Sequence, residues 1–146
     1  MSLIDWQKNG WLLSHQTSRQ EIAGLLAIAA RDLKDCQTQG LGDDWKFNIA
    51  YNCALQSSFA ALYASGYRVP KGDSHHFRVI QSLQFTIGLT SNEIALFDAF
   101  RKKRNMVVYD ISGAISPADA KQMIQFALTL SRRVVQWLHD QHSKIS

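Results

Sequence analysis

Hydrophobic residues recur every three to four positions over most of the chain, in segments separated by turns that contain glycine or proline. This spacing places the hydrophobic residues on one face of an α-helix. Glycine, serine and proline interrupt the segments around positions 40–42, 66–72, 88–91 and 112–117. The pattern therefore predicts five helices, at about 18–39, 44–65, 74–87, 92–109 and 116–141.

Residues that bind free backbone groups mark the ends of these helices. Ser18 followed by Glu21 forms a capping-box pattern at the start of the first helix, and Gly40 is a typical helix stop. Ser116 followed by Pro117 marks the start of the last helix, because proline fits the first helical position. The second helix is apolar on more than one side, so we expect it at the centre of the fold.

An N-terminal segment at 3–13 precedes the five helices and contains Trp6, Trp11 and Leu12. We expect it to cover one end of a bundle as a short helix or an extended arm. No segment alternates between apolar and polar residues over more than a few positions, so no β-sheet is expected. The predicted fold is all-α, an up-and-down antiparallel bundle of four long helices plus a short third helix and the N-terminal arm.

The chain length of 146 residues fits a single domain. We expect the arm at 1–17, the bundle at 18–141 and a C-terminal tail at 142–146. Hydrophobic residues make up 46% of the chain and charged residues 19%, which excludes a disordered protein. The net charge of +4 permits an anionic partner without requiring one.

Several features of the composition predict a cytoplasmic protein. No apolar stretch is long enough to span a membrane, and the N terminus lacks the pattern of a secretory signal. The two cysteines, Cys36 and Cys53, are too few for a disulfide framework. We therefore expect both to be small residues that face the core.

The sequence contains no Gly-rich phosphate loop and no catalytic serine or zinc-protease motif. His75 and His76 form the nearest approach to a metal site, but adjacent helical residues point about 100° apart and rarely bind one ion together. We predict no metal site and no cofactor. One imidazole is expected to pack or cap at the helix start, and the other to face water.

The helix at 92–109 contains arginines on its apolar side. With about 100° of rotation per residue from Phe97, Arg101 lies near 40° and Arg104 near 340°. The apolar arc on both sides of Phe97 is formed by Ile94, Phe100, Val107 and Val108. The flank beside Arg101 is lined by Asp98, Asn105 and Tyr109, while Lys102 and Lys103 point elsewhere, as solvated charges do.

Two arginines inside an apolar arc need a physical reason, because burying an unpaired guanidinium costs several kcal/mol. One reason is structural: the side-chain stems pack and the charged heads pair with Asp98, Asp110 or helix-end carbonyls. The other is functional: this end of the bundle opens into a polar cleft or a subunit interface that takes an anion such as an RNA phosphate. The sequence pattern leaves both open.

Two stretches, GYRVPKGDSHHFRVIQSL at 66–83 and FRKKRNMVVYD at 100–110, resemble HEPN domains (higher eukaryotes and prokaryotes nucleotide-binding). The resemblance covers most of the chain, from about 18 to 138. It implies a bundle of four or five helices that forms a homodimer and brings two arginine-containing motifs together in a cleft. Many HEPN domains are metal-independent ribonucleases, often toxins of toxin–antitoxin pairs, and others are partners of small nucleotidyltransferases.

The catalytic pattern of that family is an arginine, a polar residue and then a histidine four to six residues after the arginine. Arg104 and Asn105 match the first two positions, but Tyr109 stands where the histidine is expected. Tyrosine, with a pKa of about 10, keeps its proton near neutral pH, whereas imidazole titrates there. Tyr109 is thus better suited to donate a hydrogen bond or stack on a base. His75 or His76 would replace the missing group only if the third helix reaches the cleft.

The leading hypothesis is a HEPN-like dimer that binds RNA, a nucleotide or a partner protein through Arg101, Arg104, Asn105 and Tyr109, without efficient catalysis. The partner would be a nucleotidyltransferase or an antitoxin. A second hypothesis is a metal-independent endoribonuclease toxin that uses Arg104 and Asn105 with Tyr109 or a distant histidine. A third is a structural dimer without a nucleic-acid ligand, whose arginines form interface ion pairs.

Overall fold

A computed structural model of the chain describes residues 1–72, 75–109 and 114–143, with the backbone alone at 107–109. The elements in chain order are α1 (Leu3–Lys8), β1 (Leu13–Ser14), α2 (Arg19–Asp35), α3 (Asp43–Ala64), β2 (Tyr67–Arg68), α4 (His75–Ser82), α5 (Ser91–Tyr109) and α6 (Pro117–Gln141). The protein is therefore an all-α helical bundle, as predicted. Among the described residues, no helix combines the length and apolar character that crossing a membrane requires.

Helix α3 occupies the centre of the bundle, because it packs against α2, α4, α5 and α6. Its buried side chains lie on several sides of the helix and include Phe47, Tyr51, Cys53, Leu55 and Leu62. This explains why the sequence of this segment is apolar on more than one face. Cys36 and Cys53 are both buried, unpaired thiols in the core, as expected.

The predicted helix starts are confirmed where hydroxyl side chains cap them. The Ser116 hydroxyl accepts a hydrogen bond from the Asp119 backbone N–H at 3.0 Å, and the Asp119 carboxylate accepts one from the Ser116 N–H at 3.1 Å. The Ser18 hydroxyl also caps its helix, by accepting from the Glu21 N–H at 3.1 Å. The Glu21 carboxylate is instead bound by the Thr17 hydroxyl at 2.7 Å.

Two predicted helix ends are wrong. Helix α2 ends at Asp35 rather than near 39. Beyond Asp35 the backbone forms turns with hydrogen bonds between residues three apart, such as the one from the Thr38 N–H to the Asp35 carbonyl at 3.1 Å. Helix α4 ends at Ser82 rather than near 87. The turn after α4 places the Phe85 ring 5.2 Å from the Trp6 ring, so a contact distant in sequence fixes that end.

The expectation that the chain has no sheet is also wrong, because β1 and β2 form a short antiparallel pair. Leu13 lies opposite Arg68 and Ser14 opposite Tyr67. Two residues per strand are too few to produce an alternating pattern. The pair joins the N-terminal arm to the connection between α3 and α4, and Trp6 and Leu12 of the arm are buried against Leu62, which confirms that the arm covers one end of the bundle.

Candidate functional site

The apolar face of α5 lies against α3 and directs two arginines inward. Phe97 and Phe100 are buried, and their rings lie 5.9 Å from Tyr51 and 5.8 Å from Phe47 respectively. Arg101 and Arg104 follow on the same side of α5, and both are half-buried. The helical arc calculated from the sequence therefore placed both arginines correctly.

Arg101 has an acidic partner on its own helix. Its Nε donates to the Asp98 Oδ1 at 2.7 Å, and its guanidinium carbon lies 5.5 Å from the centre of the Phe77 ring. The Lys102 Nζ also approaches Asp98, at 3.5 Å. The structural alternative thus applies to Arg101, whose charge is paired within one turn of helix.

Arg104 is in a different environment. Its guanidinium carbon lies 5.3 Å from the centre of the Tyr51 ring, a cation–π distance, and its Nε is buried. Within the described part of the chain, this Nε has no hydrogen-bond partner and no carboxylate forms an ion pair with Arg104. Asp110, a partner that the sequence allowed, lies outside the described residues. Among the residues that the structure describes, the charge of Arg104 is therefore not balanced.

Tyr51 presents a second polar atom at the same place. The side chain is 1% exposed, and its hydroxyl is buried without a hydrogen-bond partner among the described residues. Burial raises the pKa of Tyr51 to about 12, although the charges of Arg104 and Arg101 act in the opposite direction. The hydroxyl therefore keeps its proton at neutral pH and remains available as a hydrogen-bond donor.

The N-terminal end of α4 reaches the arginines, which is the condition under which a histidine could serve in the site. The His76 ring lies 6.3 Å from the Tyr51 ring and is half-buried. Burial lowers the pKa of His76, and the positive charge of Arg104 lowers it further. His76 is therefore neutral near pH 7 and lies beside a strong cation.

The two histidines differ from the arrangement expected for them. The rings of His75 and His76 lie 5.4 and 6.4 Å from the Phe59 ring, and both are half-buried. Neither is the fully solvated member of the pair that the sequence led us to expect. The reason is that both rings pack against Phe59 of α3.

The remaining predicted site residues lie on the same helix as the arginines. Asn105 is half-buried next to Arg104. Tyr109 is the last residue of α5, and its side chain lies outside the described part of the structure. Lys103 differs from the expected solvated charge, because its Nζ lies 3.1 Å from the Asp119 Oδ2 and ties α5 to the start of α6.

We call the group formed by Tyr51, His76, Phe77, Arg101 and Arg104 the arginine site. The sequence analysis did not identify Tyr51 and Phe77 as members of it. Both residues stand at apolar positions of the helical pattern, where most aromatic rings only fill the core. The available signal was a hydroxyl-bearing ring on the apolar face of a central helix, because such a hydroxyl usually has a partner. Which helix faces that ring is a property of the tertiary structure.

No family model, no characterised protein and no solved structure matches this chain.

Proposed function

We propose that the protein binds RNA or a nucleotide through phosphate groups at the arginine site. The observation that carries the proposal is Arg104, whose half-buried guanidinium has no acidic partner among the described residues. A phosphate would supply the missing negative charge, and arginine binds phosphate through charge-assisted hydrogen bonds. The resemblance to HEPN domains supports this ligand class, as do the cytoplasmic location expected from the sequence and the basic net charge.

The two arginines take different roles in this proposal. Asp98 holds the Nε of Arg101 and fixes its orientation, which leaves the terminal guanidinium nitrogens to face the ligand. Arg104 supplies the charge that the ligand balances, and its guanidinium lies over the ring of Tyr51. Asn105 and Tyr109 extend the site along α5 and complete the set that the sequence predicted.

RNA affinity is expected to rise as the pH falls from 7.5 to about 5.5. The free protein keeps the pKa of His76 below its ordinary value because of burial and of the nearby charges of Arg104, His75 and Arg101. A bound phosphate would offset these positive charges and raise that pKa, so that binding takes up a proton. Fluorescence anisotropy of a labelled RNA octamer over this pH range measures the effect.

The control for this titration is His76→Gln, which keeps a polar side chain but does not titrate. This variant should lose most of the pH dependence that the wild-type protein shows. The free energy of unfolding depends on pH in the opposite direction. Because the pKa of His76 is lowered in the folded state, the unfolded chain binds more protons, and stability falls as the pH drops below about 6.5. Affinity that is constant with pH, or that is equally pH-dependent in His76→Gln, would contradict the assignment of His76 to the site.

We also propose a two-fold homodimer in which the α5 helices of two chains approach each other. Met106 supports this arrangement, because it is 50% exposed on α5 and lies directly beyond Arg104 and Asn105. An isologous contact there would bring two arginine sites together. Light scattering at tens of micromolar protein should give the mass of a dimer, and a monomeric mass would contradict the proposal.

A second function is favoured by one specific observation, the position of His76. The neutral imidazole of His76, near Arg104, would accept the proton of an RNA 2′-hydroxyl. It would thereby replace the histidine that the motif lacks at Tyr109. The protein would then be a metal-independent endoribonuclease of the toxin type. Incubation of the protein with a mixed RNA pool in EDTA distinguishes the two functions: cleavage that Arg104→Ala abolishes favours the ribonuclease, and intact RNA favours binding alone.

A further inference from the structure

A continuous row of rings leads away from the arginine site along α3. In order, it contains His76, His75, Phe59, Tyr63 and His15, and we call it the ring row. Successive ring centres lie 5.9, 5.4, 5.7 and 4.3 Å apart. The first ring, His76, lies 6.3 Å from Tyr51, so the row starts at the arginine site.

The ring row is partly open to solvent along its length. All five of its rings are half-buried, whereas the rings of the neighbouring core, such as Tyr51 and Phe97, are almost completely buried. Phe59 and Tyr63 are four residues apart on α3 and therefore share one face of that helix. Two other parts of the chain supply the remaining rings, His75 and His76 from α4 and His15 from the N-terminal arm, so a repeating pattern within one helix does not explain the row.

Charged groups lie at both ends of the ring row. Arg101 and Arg104 lie at the end next to His76, whereas Glu21 and, more weakly, Arg68 act electrostatically on Tyr63 near the other end. Arg68 is itself exposed, and its Nη1 donates to the Ser14 carbonyl at 2.8 Å. The Glu21 carboxylate near this end lies 2.7 Å from the His15 Nε2, so it is engaged with a ring of the row.

We propose that the ring row is a stacking surface for the unpaired bases of single-stranded RNA, several nucleotides long, whose phosphates contact Arg104 and Arg101 at one end and Arg68 at the other. Partly exposed aromatic rings next to cations are the arrangement that proteins use to bind single strands without base-specific hydrogen bonds. A single nucleotide would cover only one end of the row. The proposal rests on the phosphate-binding function proposed above and specifies its ligand.

The test compares two fluorescein-labelled strands by anisotropy: an RNA octamer and an abasic octamer with the same phosphates but no bases. Stacking contributes on the order of tenfold in affinity per base. The wild-type protein should therefore bind the RNA octamer at least about tenfold more tightly than the abasic strand. An octamer annealed into a duplex, whose bases are already stacked, should bind no better than the abasic strand.

The variant that tests the row is Tyr63→Leu, which removes a ring but keeps an apolar side chain. It should lower the affinity for the RNA octamer about five- to tenfold and leave the affinity for the abasic strand unchanged, which also shows that the variant is folded. The matched control is Trp45→Leu, which removes a ring from the opposite end of α3, where the side chain is 64% exposed. This control should bind both strands as the wild type does.

Three results would overturn the proposal. Equal affinity for the RNA and abasic octamers would show that phosphates alone are bound, and the proposed function would stand without the ring row. If Trp45→Leu lowered the affinity for the RNA octamer as much as Tyr63→Leu, base stacking could not be assigned to the ring row. No binding of either strand would contradict the proposed function as well.

Discussion

Replacing Arg104 with alanine is expected to weaken the binding of single-stranded RNA about 10- to 100-fold. The substitution removes charge-assisted hydrogen bonds to phosphate, which are worth roughly 1.5–3 kcal/mol. The helical circular dichroism spectrum should not change, because the lost side chain forms no ion pair within the described residues. Anisotropy titrations of a labelled RNA octamer, at one fixed salt concentration, measure the difference in Kd.

Two further variants separate the role of Arg104 from the effect of net charge. Arg132→Ala changes the net charge equally but removes an exposed arginine on α6, so it should alter affinity less than about twofold. Arg104→Lys keeps the charge without the planar fork of donors, and its affinity should lie between those of the wild type and the alanine variant. Equal weakening by Arg132→Ala and Arg104→Ala would indicate a diffuse electrostatic effect without a defined site.

Replacing Phe97 with alanine is expected to lower the free energy of unfolding by about 3–5 kcal/mol, because it leaves a cavity in a packed core. Phe97 is completely buried, and its ring lies 5.1 Å from Phe126 and 5.9 Å from Tyr51. It thus joins α5 to both α6 and α3. Urea unfolding followed by circular dichroism measures the loss.

The same substitution should also affect the arginine site. The Phe97 ring packs against the Tyr51 ring, and the Arg104 guanidinium lies over Tyr51. A cavity at position 97 should therefore let the Tyr51 ring move and weaken its contact with Arg104. Trp45→Ala is the control, since Trp45 is 64% exposed and its loss should change stability by less than about 0.5 kcal/mol. A similar loss in both variants would contradict the placement of Phe97 at the junction of three helices.

The helices could be predicted from the sequence because local signals determine them. The capping box of Ser116 and Asp119 lies within one turn, and the hydrophobic periodicity of α6 extends over its whole length. The end of α4 could not be predicted in this way, because the contact between Phe85 and Trp6 joins residues far apart in the chain. The pairing of β1 with β2 was missed for the same reason.

The residues of the candidate site also differ in whether the local sequence or the tertiary packing places them there. Arg101 and Arg104 follow from the rotation per residue along one helix, and the sequence places both on the inward side. Tyr51 and His76 come from α3 and α4, and only the packing of these helices on α5 brings them to Arg104. The pairing of Arg101 with Asp98, three residues earlier on α5, is local, whereas Arg104 is six residues from Asp98 and lies on another side of the helix.

Cross-linking of an RNA octamer that contains 4-thiouridine, followed by mass spectrometry of the linked peptides, tests most directly where the ligand binds. Irradiation in EDTA should link the RNA to peptides from the arginine site and the ring row, around residues 59–63, 75–77 and 101–106. The Arg104→Ala protein should give weaker links at the same peptides. Links confined to α2 or α6, with none at these positions, would contradict the proposal that RNA binds at the arginine site.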